Sequence, residues 1–190
     1  MTQAFNTQFG RGFGPSSRIL LSDGSRKVIS SLTLSDILWT PMGPSKIRAL
    51  VTCGSYQVAQ SMCWIDGVAV TPYNPCRNKE NATWGQAIHR VMPSECYMPK
   101  VYNLVLYLGH SVDLGGTEFA TLAHGLTPYG LHIHDPYFGT RRVIDDLKKQ
   151  PGWEEGLPVY QNVKVIRHPV TGEIDGWVES IGIGHADDWR

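Results

Sequence analysis

Four cysteines, at positions 53, 63, 76 and 96, are the first candidates for nucleophilic or metal chemistry in this sequence. No two are separated by only two residues, so the spacing of a zinc ribbon is missing. Without a secretory leader, reduced and buried structural thiols are expected. His132-Ile133-His134-Asp135 brings two imidazoles and a carboxylate together along the chain, the raw material of a metal site. His124, in Leu122-Ala123-His124-Gly125, ends an apolar stretch. Thr71-Pro72-Tyr73-Asn74-Pro75 reads on its own as a turn after a strand. Asn81-Ala82-Thr83 fits a glycosylation sequon, a pattern common by chance and relevant only on a secretory route.

The elements that must position these residues read mainly as short strands. Gly12-Phe13-Gly14-Pro15 makes a tight turn before Arg18–Leu21, and Ser22-Asp23-Gly24-Ser25 is a hairpin-type turn into Lys27–Ile29. Apolar-rich stretches follow at 34–39, 46–51 and 57–65, with Asp66-Gly67 turning the chain into Val68–Val70. Val101 to Leu108 is the clearest strand, dense in β-branched and aromatic residues, and Phe119–Leu122 is another. Turns recurring every ~8–12 residues indicate an all-β sandwich or barrel. After Gly125 the pattern changes. Thr140–Gln150 is predicted to be an amphipathic helix, with Val143, Ile144 and Leu147 on one face and Pro151-Gly152 as its stop. Val159–Arg167 and Ile174–Val178 are predicted to form a terminal hairpin around Thr171-Gly172. The division expected is a flanking segment, 1–11, a β core, 12–125, and a small α+β extension, 126–190.

Composition narrows the partners. The chain has 190 residues, and 42% of them are hydrophobic, enough for a real core. Seventeen basic residues balance seventeen acidic ones, so charge gives no reason to expect nucleic acid or an anionic membrane. No apolar run approaches the ~20 residues of a membrane span. A cytoplasmic monomer is expected.

Three blocks, in this order, carry a resemblance. They are GFGPSSRILLSDGSRKVISSLTLSDILWTP from Gly12, WIDGVAVTPYNP from Trp64, and VYNLVLYLGHSVDLGGTEFATLAHG from Val101. Together they resemble the Hint superfamily, the hedgehog and intein autoprocessing domains. The tail HDPYFGTRRVIDDLKKQPGW is similar to the extension of Hint domains that occur beside von Willebrand factor type A domains. The resemblance implies a horseshoe-like all-β fold that acts on its own flanking polypeptide. It also implies nucleophilic chemistry: the domain's first residue, usually Cys, attacks the preceding carbonyl and turns an amide into an ester or thioester. A Thr-x-x-His motif supports that step, its histidine protonating the leaving nitrogen.

Placed on this sequence, the nucleophile position is Gly12, which has no side chain. The hydroxyls of Ser16 and Ser17 are too far along, because the five-membered cyclic intermediate requires the nucleophile on the residue after the scissile carbonyl. Thr71 matches the motif's threonine, and Asn74 stands where its histidine would be. An amide can hydrogen-bond to a peptide but cannot deliver a proton near neutral pH. His124 matches the late histidine. Gly125 follows it in place of the terminal asparagine whose cyclisation releases an intein, so splicing is not expected. No cofactor is expected, and no metal, since no ligands beyond His132, His134 and Asp135 fall at family positions. The resemblance therefore implies a self-processing domain without its first chemical step. Two alternatives stay open: an active domain cleaving by another route near residue 125, and a β-rich interaction module.

Overall fold

Runs of β-branched and aromatic residues between glycine-bearing turns make strands the main regular structure of the described residues. The computed structural model describes residues 11–54, 59–77, 83–126, 137–161, 163–170 and 174–179, with backbone alone at 160, 161, 163–165 and 177–179. In chain order the strands are β1 (Arg18–Leu20), β2 (Arg26–Val28), β3 (Ile37–Leu38), β4 (Ser45–Gly54), β5 (Ala59–Ile65), β6 (Val68–Val70), β7 (Pro75–Arg77) and β8 (Gly85–Gln86). They continue with β9 (Ser94–Tyr97), β10 (Lys100–Leu106), β11 (Ser111–Leu114), β12 (Thr117–Ala120), β13 (Val159–Gln161), β14 (Val163–Arg167) and β15 (Ile174–Glu179). One short helix, α1 (Arg141–Leu147), precedes β13.

One sheet runs β2-β1-β11-β12-β7-β8, a second β10-β4-β13 with β3 beside β4, and a third β6-β5-β9. Phe13 joins the second and third, bridging antiparallel to Val70 on one side and Tyr102 on the other. Strands β4 and β10 are buried on both faces. The side-chain alternation of a strand sends Leu50 and Leu104 into one apolar cluster with Phe13, Ile19 and Phe119, which Ile47 joins beyond the register shift at Val105/Leu106. It sends Val51, Cys53, Val101 and Val105 into another with Leu122, Tyr137, Phe138, Val143, Leu147 and Trp153. The residues after 136 thus share a core with the strands before residue 125. The fold is all-β, with α1 as its one described α-helix.

Several expected elements are shorter or differently paired. The helix expected over 140–150 occupies Arg141–Leu147, capped by Thr140, whose hydroxyl accepts from the Arg142 N–H at 3.3 Å. Only Ile37–Leu38 of the 34–39 stretch is strand. Asp36 explains this: its carboxylate accepts from the Thr33 N–H at 2.6 Å and from Lys27 Nζ, fixing a turn where the strand was expected to start. The 159–167 stretch divides. Val159–Gln161 pairs parallel to β4, and only Val163–Arg167 forms the hairpin with Ile174–Glu179. The turn at 171–172, the sequon asparagine Asn81, and His132, His134 and Asp135 lie outside the described residues.

Candidate active site

The chain enters its first described strand through a proline-limited turn, and that entry is held from both sides. The Gly12 N–H donates to Thr71 Oγ1 at 3.0 Å, and the Gly12 carbonyl accepts from the Thr71 N–H at 3.0 Å. Phe13 exchanges two backbone hydrogen bonds with Tyr102, each 2.8 Å, and the Gly14 N–H donates to the Ala69 carbonyl at 2.8 Å. Phe13 anchors the segment: it is fully buried and meets Phe119 edge-to-face at 5.5 Å. Residue 12 is itself buried. A Cβ built on Gly12 would lie 2.9 Å from Val101 Cγ2 and 3.1 Å from the Tyr102 carbonyl oxygen. The space of a side chain at position 12 is filled by Val101, which is fully buried.

The carbonyl just upstream is held as well. Asn103 Nδ2 donates to the Arg11 carbonyl oxygen at 3.1 Å, while Asn103 Oδ1 accepts from the Leu104 N–H at 2.8 Å. Both partners accept or donate in one sense only, so the orientation of the amide is fixed. Asn103 is not singled out by the sequence. It sits in the middle of the Val101–Leu108 strand, and its signal is a buried polar side chain within an apolar run.

Asn74 is brought near this region but hydrogen-bonds elsewhere. Its Nδ2 donates to the Ala120 carbonyl at 3.3 Å and the Pro75 carbonyl at 3.4 Å. Its Oδ1 is buried with no hydrogen-bond partner among the described residues. Thr71 and Asn74 share one tight turn, the Asn74 N–H donating to the Thr71 carbonyl at 3.1 Å.

His124 lies in a buried loop after β12 that runs beside β10, with the Leu122 N–H on the Leu104 carbonyl at 2.9 Å. Its Nδ1 accepts from the Leu126 N–H at 3.0 Å, so that nitrogen carries no proton in this arrangement. The residue before it, Ala123, is left-handed at φ 54°, a conformation that costs a non-glycine residue energy. Two bonds hold the loop against the C-terminal extension: Ala123 N–H to the Phe138 carbonyl at 2.7 Å, and Gly125 N–H to the Gly139 carbonyl at 2.8 Å. His110 is a second imidazole here that the sequence did not mark, because it follows a turn glycine. Burial first, and then the charge of His124, hold its pKa below the ordinary histidine value.

Beneath this loop, β11 and β12 are tied to β7 by Glu118. Its carboxylate accepts from Arg77 Nε at 2.6 Å, from Arg77 Nη2 at 3.2 Å, and from the Ser111 hydroxyl. Three of the cysteines, Cys53, Cys63 and Cys76, are buried free thiols. Burial pushes the Cys53 thiol up to about 12. Burial likewise raises Cys63 and Cys76 to about 11, the neighbouring Cys76 adding to the effect on Cys63. Thiols with so little thiolate are poor attackers near neutral pH. Among the described residues no three metal-ligating side chains cluster, and no helix is long and apolar enough to cross a membrane.

Gly12 is thus held within strand pairings, with Thr71 on its N–H. The sequence matches Vint, a Hint-domain family, over residues 12–176. The chain belongs to the Hint domains. Its family is one of self-processing domains. Among solved structures it is similar to the gp41-1 intein, at 10% identity and a TM-score of 0.44, over 60% of this chain and 100% of that one. It is also similar to a DnaB intein from Synechocystis sp. PCC 6803, at 12% identity and a TM-score of 0.46, over 59% of this chain and 99% of that one. No curated protein matches the sequence. The Hint match runs through residue 125 without a break and takes in α1, β13, β14 and part of β15.

Proposed function

We propose that this chain is a Hint-type self-processing domain that binds its own upstream peptide in the pre-reaction position but does not carry out the first acyl shift. The observation that carries this reading is the Arg11–Gly12 bond. Its carbonyl is held by Asn103 and its nitrogen by Thr71, yet residue 12 has no side chain to attack with. In the acyl shift a thiolate adds to the carbonyl carbon, negative charge grows on the carbonyl oxygen, and the carbon–nitrogen bond then breaks as the nitrogen takes a proton. Asn103 Nδ2 is aimed at the oxygen where that charge would develop, the role of an oxyanion donor. Asn74 in the histidine's place cannot supply the proton. The substrate in this reading is the chain's own flanking polypeptide.

The test restores both groups. Gly12→Cys with Asn74→His should produce thiol-dependent cleavage after Arg11, followed by intact mass with and without dithiothreitol. Because Val101 fills the space at position 12, adding Val101→Ala should speed that cleavage. Asn103→Leu in the same background should slow it by about 10²-fold, as loss of one oxyanion donor does. A folded double variant that stays inert for hours with thiol would refute the residue assignment. A second reading, cleavage at His124–Gly125, is favoured by the left-handed Ala123 next to that bond. Fragments of the unaltered chain ending at residue 124 would select it.

A further inference from the structure

We propose that Phe138 of the C-terminal extension forms the subsite for the side chain of residue 11, and that this subsite selects a long cationic side chain ahead of Gly12. The inference rests on the self-processing reading and adds what that site recognises. The Arg11 guanidinium carbon lies 5.9 Å from the centre of the Phe138 ring, within the range of a cation–π contact, and Arg11 Nη1 is buried. Phe138 itself is 1% exposed, so its ring face is available to Arg11 rather than to water.

The ring is held from three directions. Its own carbonyl accepts from Ala123 and the next one from Gly125, so it is fixed to the loop carrying His124. Tyr137 packs edge-to-face on it at 5.0 Å and donates its hydroxyl to Asp146 of α1 at 2.8 Å. The apolar face of α1, Val143 and Leu147, lies in the same cluster. The extension therefore supplies one wall of the site, and α1 holds that wall in place. Arginine fits best because it offers a flat cation and an apolar stem together; lysine offers a more strongly hydrated point charge, and a carboxylate would face the negative ring surface.

Trypsin reads this directly, since it must extract Arg11 from Phe138 to cut the Arg11–Gly12 bond. In the full chain that bond should be cut slowly relative to the bond after the exposed Arg90. Phe138→Ala should raise the ratio of the two rates by about tenfold, the size expected when such a contact is lost. Phe138→Leu, which keeps apolar volume, should raise it less, and Phe138→Trp should restore it. An unchanged ratio in both Phe138→Ala and Phe138→Leu, or equal acceleration at both bonds, would overturn the proposal. A second arm uses the Gly12→Cys, Asn74→His background. Thiol-induced cleavage should rank Arg11 above Arg11→Lys above Arg11→Glu, and Phe138→Leu should flatten that ranking. Equal rates for all three residues would count against the subsite. If the background is inert with every residue, the self-processing reading fails, and the trypsin ratio still decides the subsite.

Discussion

The two halves of the site differ in what they keep. At the early corner, Gly12, Thr71 and Asn103 satisfy every polar group of one peptide bond, and Val101 closes over the missing side chain. At the late loop, His124 follows the left-handed Ala123 on a backbone clamped to the extension, and burial lowers the pKa of His110 beside it. The first region holds a peptide bond; the second presents two imidazoles. On the proposed reading, holding the Arg11–Gly12 bond and attacking it would rest on different residues. The holding part is built into strand pairing, which needs no nucleophile at position 12.

The largest disruption of the early corner is Phe13→Ala. It removes a fully buried ring that joins two sheets, and should cost about 3–5 kcal/mol in urea unfolding. If the two halves are separable, the imidazole NMR signals of His110 and His124 will stay close to wild type in the surviving native state. Gly12→Ala should cost about 1–3 kcal/mol by overpacking against Val101. Val101→Ala should recover part of that loss, and a double-mutant cycle showing simple additivity would remove the idea that Val101 fills the site. Thr71→Val leaves the buried Gly12 N–H without its acceptor and should cost about 1–3 kcal/mol. Its activity counterpart is a slower acyl shift in the nucleophile-restored chain.

The smallest effect belongs to the late loop. The pKa of His110 is lower in the folded chain than the ordinary 6.5, so between those values the unfolded chain binds more protons. Stability is then full above pH 6.5 and falls as pH drops through 6.5 toward the lowered folded value. Unfolding free energies at pH 7.5 and 5.5 should show that fall, and His110→Gln should reduce it. Variants of the early corner should leave it unchanged.

Local chemistry explains how much the sequence could reveal. The hairpin at Asp66-Gly67, with both residues left-handed, and the β10 strand are written in neighbouring residues, so they read correctly. The parallel pairing of Val159–Gln161 with β4 joins distant segments and has no local mark. Gly12, Thr71 and His124 were visible because their blocks have a recognisable order. Asn103 was hidden by a strand whose apolar neighbours dominate its pattern. The Phe138 contact was hidden for another reason: it depends on the extension folding back into the core rather than standing apart from it.

The Gly12–Gly14 segment has a consequence for biosynthesis. It lies between two strands made much later, its contacts reaching 59 residues ahead to Thr71 and 92 ahead, from Arg11, to Asn103. Chain synthesis proceeds from the N-terminus at ~5–20 residues per second. For several seconds, therefore, the Arg11–Gly12 bond is an ordinary peptide with nothing gripping it. A relative equipped with the nucleophile would carry a clock of its own, unable to cut until most of the domain has left the ribosome.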